Sequence, residues 1–182
     1  PSGKQFWALG GIHASNLRNV TLQIDGVLMA AADYDLWPTT TTRNKKYVDF
    51  LSIADSTNIT VTGDGSGLID GQGLGWWNKE VLPQVYGKLC CARPKLFGMP
   101  NVTDVLIEHV NLLNSPSFHL WLDDVARVEI RHVHINVDRS KQRELKQIAA
   151  ALRNNSAGAG GQGSPPGLQP EDLNTDGIEF SY

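Results

Sequence analysis

The chain has 182 residues, enough for one domain with its own core, and carries a formal net charge of −3 with 41% hydrophobic residues. Mild acidity gives no basis for nucleic-acid binding. No run of 18 apolar residues is present to span a membrane.

In chain order, Pro1-Ser2-Gly3-Lys4 opens without the basic-then-apolar pattern of a signal peptide, and a processed or excised chain would look the same. Asn19-Val20-Thr21-Leu22-Gln23-Ile24 and Asn58-Ile59-Thr60-Val61-Thr62 are short β-branched runs, each led by Asn. Trp76 to Arg93 interrupts the strand pattern and predicts a short helix or loop. Cys90 and Cys91 are adjacent. Disulfide geometry wants Cα atoms well apart, so they are expected as buried thiols or as partners of cysteines elsewhere.

Val105 to Leu112 and Val128 to Ile135 alternate apolar and polar residues, which predicts strands with one buried face. Their phase is shared: 130 − 107 = 23 separates Ile107 from Ile130, and the same spacing separates Val110 from Val133, Leu112 from Ile135 and Phe97 from Leu120. A repeat of that length, built from strands and turns, reads as a β-solenoid with rungs about 4.8 Å apart. The Leu-x-x-Leu-x-Leu pattern of a leucine-rich repeat is missing, and the hairpin turns of a β-sandwich are few. Ser140 to Arg153 then has helical composition, with Leu145, Ile148, Ala149 and Leu152 on one side. Ser156 to Pro166 is a low-complexity linker expected to be mobile. It leads to Asn174-Thr175-Asp176-Gly177-Ile178-Glu179-Phe180.

Three segments together resemble glycoside hydrolase family 28, the polygalacturonase-like pectin hydrolases. They are Gly63-Asp64-Gly65-Ser66-Gly67-Leu68-Ile69-Asp70-Gly71-Gln72-Gly73 with Trp76-Trp77, then Arg93-Pro94-Lys95-Leu96-Phe97 with Asn114-Ser115-Pro116-Ser117-Phe118-His119, then Asn174-Thr175-Asp176-Gly177-Ile178. The resemblance implies an all-β fold, a right-handed single-stranded parallel β-helix over residues 1–182, with 139–173 as an inserted helical and low-complexity loop. It implies inverting hydrolysis of galacturonosyl linkages in pectin, a polysaccharide substrate, no cofactor or metal, a monomer and a secreted protein. It makes Asp176 a catalytic carboxylate that holds and activates water, and Asn174 a donor to the sugar. The family's later Gly-Asp-Asp, Gly-His-Gly and Arg-x-Lys motifs do not follow, so the chain is expected to be the N-terminal portion of a longer enzyme, with C-terminal coils missing, and inactive alone.

Several residues carry two readings. His119 stands one coil before the Asp176 coil, as a groove residue meeting a uronate or as a satisfied structural histidine. Arg93 and Lys95 would attract a polyanion, although a salt bridge at an Arg-Pro corner is the stronger expectation for the pair. Trp76 and Trp77 would stack on sugars, or, as the favoured reading, pack at the solenoid edge. Asp123-Asp124 is read as a solvated turn and not as a catalytic pair. His132 and His134 have metal-ligand spacing on one strand face but lack a third ligand. Asn19, Asn58 and Asn101 head Asn-x-Thr sequons at what reads as one point of the coil, which favours turn residues over glycan sites. Two rivals remain open: a pectate-lyase-like β-helix using Ca²⁺, and a non-catalytic carbohydrate-binding solenoid.

Overall fold

The computed structural model describes residues 1–157, 173, 175 and 177–181. In runs such as Ile59 to Thr62, apolar residues alternate with polar ones and are the buried ones, so the strand has one face inward. One sheet stacks β1 (Gln5–Ala8), β4 (Val27–Ala30), β7 (Leu68–Asp70), β9 (Asn111–Leu113) and β11 (His134–Asn136) in that order. The other path runs through β2 (Ile12–Ser15), β5 (Leu51–Ala54), β8 (Phe97–Glu108), β10 (Leu120–Arg131) and β12 (Ile178–Ser181). On its second face β3 (Arg18–Gln23) pairs with β6 (Ser56–Thr62), which pairs with β8. All these strand pairings are parallel, and the fold is a parallel β-helix.

The core is a set of side-chain ladders, because parallel in-register rungs place like residues over like. Leu51, Phe97 and Leu120 form one ladder, and Ile59, Val105 and Val128 another. Ile69, Leu112 and Ile135 form a third, on the remaining face. The 23-residue phase holds where expected, with Ile107 on Ile130, Leu112 on Ile135 and Phe97 on Leu120. The same spacing sets Arg127 on Asp104 and Arg131 on Glu108 along the outside, as exposed ion pairs that add little stability.

Elsewhere the rungs are separated by insertions. The segment between β4 and β5 supplies Tyr34, Trp37 and Tyr47, whose rings meet Trp76 edge-on at 4.8 to 5.1 Å. The segment after β7 carries α1 (Leu74–Val81) and α2 (Pro83–Tyr86). Trp76 and Trp77 are both fully buried, and the Trp77 indole donates to Ser115 O and Pro116 O. Packing is therefore their role. Cys90 and Cys91 are joined to each other as a vicinal disulfide, which corrects the expectation of separate thiols.

Corners between rungs use left-handed backbone, which Asn and Asp adopt more readily than most residues. Asn19 and Asn58 share one corner column with Asp104 and Arg127, at φ of 55°, 54°, 58° and 56°. Asn101 belongs to a different column, with Asn16, Asp55 and Asp124. Two of the three sequon asparagines thus share a point of the coil, and the third does not. His132 is also a corner residue, at φ 52°, and its ring stacks on His109 with centroids 4.8 Å apart. It does not share a strand with His134, which opens β11.

The inserted helix α3 (Arg139–Ala157) starts at Asp138. The Asp138 carboxylate accepts the backbone N–H of Ser140 at 3.0 Å and of Lys141 at 3.3 Å, the pattern of an N-cap. Leu145 and Ala149 bury against Trp77, Val81, Leu82 and Leu173, whereas Ile148 and Leu152 stay 38% exposed. The linker from residue 158 to 166 lies outside the described residues. Hydrogen bonds from Ser140 and Lys141 hold the Asp138 carboxyl below its ordinary value of 3.8. A depressed folded-state value means that the cap's support is complete above 3.8 and is lost as pH falls through the folded value. We therefore expect Asp138→Ala to speed amide exchange in α3 at pH 7, and the difference from wild type to shrink progressively as pH falls below 3.8.

Candidate functional site

β12 docks on β10 with Leu120 opposite Ile178, Trp121 opposite Glu179, Leu122 opposite Phe180 and Asp123 opposite Ser181. Leu120 N donates to Gly177 O, and Phe97 N donates to His119 O, so Gly177, His119 and Leu96 occupy equivalent levels of successive rungs. Leu120 and Leu122 are fully buried, so the alternate positions Trp121, Asp123, Glu179 and Ser181 face outward. The Ser181 hydroxyl donates to Asp123 of the adjacent rung at 2.5 Å, which confirms that parity.

Asp176 and Asn174 lie outside the described residues. The residues bracketing Asp176 do not. The Thr175 hydroxyl accepts a hydrogen bond from Gln142 of α3 at 3.1 Å, so the insertion is tied to this turn. A Cβ on Gly177 would come 3.3 Å from Ile135 Cδ1, a tight approach at the point where the chain enters its strand. Ile135, Asn136, Val137, Arg139, Gln142, Arg143, Thr175 and Gly177 line a cavity of about 870 Å³ between α3 and this turn.

His119 is fully buried, and its Nε2 accepts the backbone N–H of Ser115 at 3.2 Å. An imidazole plays that part only with Nε2 unprotonated. This placement matches the structural reading of His119; it sits behind the outward face and organises the Asn114–His119 bend. Ser115 Oγ also donates to Phe118 O, which closes the bend.

Arg93 and Lys95 separate. Arg93 lies 3.8 Å from Glu80, donates to Pro116 O, and is the corner residue expected. Burial lowers its pKa and Glu80 raises it. Lys95 turns to the outward face, where its Nζ sits 3.3 Å from the centroid of the Trp121 ring. Asp49 approaches from the insertion between β4 and β5 and accepts the backbone N–H of Lys95 at 3.0 Å. Burial raises the Asp49 pKa, against the lowering effect of Lys95 and Lys46. Gly98 makes room for this group, since a Cβ there would lie 2.6 Å from Asp49 Oδ2. Sequence reasoning missed Asp49 and Trp121 as parts of one cluster. The 23-residue step from Gly98 to Trp121 was available as a signal, but Asp49 lies in an insertion with no period.

Asp124 sits exposed at a left-handed corner, φ 49°, as the turn reading expects, while Asp123 lies in β10 facing outward.

The family description "Glycosyl hydrolases family 28" matches residues 1–182. A probable polygalacturonase of Vitis vinifera is 33% identical over 130 residues, 66% of this chain and 25% of that protein. A probable exopolygalacturonase A of Aspergillus niger is 30% identical over 115 residues, 60% of this chain and 24% of that protein. The chain thus spans about a quarter of the length of the curated relatives it matches. In structure it is similar to the endo-xylogalacturonan hydrolase of Aspergillus tubingensis, with a TM-score of 0.64 and 18% identity over all of this chain and 39% of that one.

Proposed function

Since the chain belongs to glycosyl hydrolases family 28, we propose that the protein carrying it hydrolyses α-1,4 galacturonosyl bonds of pectin with inversion. The observation that carries this reading is the docking of β12. The strand that follows Asn174-Thr175-Asp176 lies in register on β10, with Gly177 O accepting from Leu120 N, so it adds a rung beside the outward-facing Trp121 and Asp123.

Inverting hydrolysis needs a base that activates water on one face of the ring and an acid on the leaving oxygen, with carboxyls about 6.5–9.5 Å apart. Stacked rungs offer such groups in steps of about 4.8 Å, because outward side chains of successive rungs project in parallel. Asp176 is the base carboxylate. Asn174 donates its amide to a sugar hydroxyl or carboxylate. His119 acts through the Ser115 bend and not by touching the sugar. The protein works as a monomer outside the cell, where its polymer is found.

Proton NMR of the first product checks this. The whole protein should release reducing ends from polygalacturonate, and the newly formed end should appear first as the β-anomer. An α-anomer would overturn inversion. Unsaturated products absorbing in the ultraviolet would replace hydrolysis with a lyase reaction, and binding without turnover would leave a carbohydrate-binding solenoid.

A further inference from the structure

We propose that Lys95, held on the ring of Trp121, recognises the free carboxylate of a uronosyl unit away from the scissile bond, and so favours de-esterified over methyl-esterified polymer. For its ligand this rests on the galacturonan reading above.

Lys95 is a half-buried ammonium on the outward face. No carboxylate among the described residues comes within 4.0 Å of it. Asp49, the acidic residue that touches this segment, spends an oxygen on the backbone N–H of Lys95. A half-buried ammonium with no carboxylate in ion-pair reach loses part of its hydration without an anion to replace it, which is costly. Trp121 offsets part of that cost by a cation–π contact. It also fixes the head group, so a ligand carboxylate meets an ammonium already in position. Burial lowers the Lys95 pKa and Lys46 adds to the lowering, while Asp49 and Asp123 oppose it in part.

The location agrees. Leu96, next to Lys95, is two rungs from Gly177, at about 4.8 Å per rung. Lys95 is therefore on the order of 10 Å from the turn that enters β12. A polymer lying along the outward face would reach Lys95 with a unit other than the one cleaved. A free carboxylate offers two anionic oxygens to the ammonium. A methyl ester offers neutral ones and a methyl group.

The test compares Lys95→Met with wild type in the whole protein, on polygalacturonate and on highly methyl-esterified pectin, by turnover and by calorimetric binding. Loss of one charge-assisted hydrogen bond should weaken binding to polygalacturonate about tenfold. KM should rise with kcat unchanged, because a distal contact is made equally in ground and transition states. Binding to esterified pectin should not change, and Lys95→Arg should keep the preference. Equal loss on both polymers, or no loss on either, would overturn the proposal. Should Lys95→Met fail to fold, Lys95→Gln carries the same comparison. A protein that turns over neither polymer but still binds polygalacturonate through Lys95 would sink the hydrolase reading and leave this one standing.

Discussion

Asp176→Asn in the whole protein is expected to lower kcat on polygalacturonate by about 10²–10⁴-fold, the usual worth of a positioned acid or base. KM should stay nearly constant, since the amide keeps the shape of the carboxylate and loses only its ability to take a proton from water. The natural control is Asp124→Asn. Asp124 is an acidic residue of the same region, yet it is exposed at a left-handed corner that Asn tolerates as well as Asp does. Its replacement should leave turnover unchanged. If Asp176→Asn keeps more than about a tenth of wild-type kcat, Asp176 is not the base, since even the weaker general-base contributions exceed that. Steady-state assay of reducing ends, with both variants at matched concentration, reads the result directly.

The second large effect concerns the glycine-rich stretch from Gly63 to Gly73. A Cβ on Gly67 would fall 1.7 Å from the carbonyl oxygen of Ile24 and 2.7 Å from its carbon. That oxygen belongs to the backbone of an adjacent rung and cannot rotate away. Gly67→Ala must therefore push two rungs apart, and we expect a loss of at least about 3 kcal/mol, at the upper end of overpacking costs. Gly65, two residues earlier, sits at φ 87°, and a Cβ there would meet nothing within 4 Å. Gly65→Ala meets only backbone strain, about 1–2 kcal/mol. Chemical denaturation of the two variants should rank them in that order. The reverse order would mean that the rung spacing at Gly67 is slack.

These two glycines show where reading the sequence succeeds and where it stops. The motif containing both was visible in the chain, but its resemblance to a family does not say which glycine is needed for room and which for conformation. Only the neighbouring rung, brought back by the coil, distinguishes them. The strands were legible for a related reason. Alternation of apolar and polar residues is a local property, and it marked Val105 to Leu112 and Val128 to Ile135, while β-branched content marked Asn19 to Ile24 and Asn58 to Thr62. The 23-residue phase was legible only between β8 and β10 and between β9 and β11, where nothing is inserted. Between β3 and β6 the rung takes 39 residues, between β6 and β8 it takes 46, and between β10 and β12 it takes 58. Insertions carry the excess, and their lengths hide the period.

Asp49, Lys95 and Trp121 lie in three different segments, joined by no spacing that a linear reading would test. His119 carried two readings because its level matched Gly177, and linear order could not choose between them, since burial depends on which way the ring turns at the Ser115 bend. Cys90 and Cys91 were judged by the usual Cα separation, and the structure pairs them across 3.8 Å.

By itself the chain determined the class of fold, the inward face of its two alternating runs and the family it belongs to, because periodicity and motifs are written in local order. Tertiary structure decided which outward side chains meet, which histidine is buried and which glycine bears a neighbouring rung. Most of those contacts join residues far apart in the chain that end within one or two rungs of each other, about 4.8 Å each, and they exist only after the coil has closed.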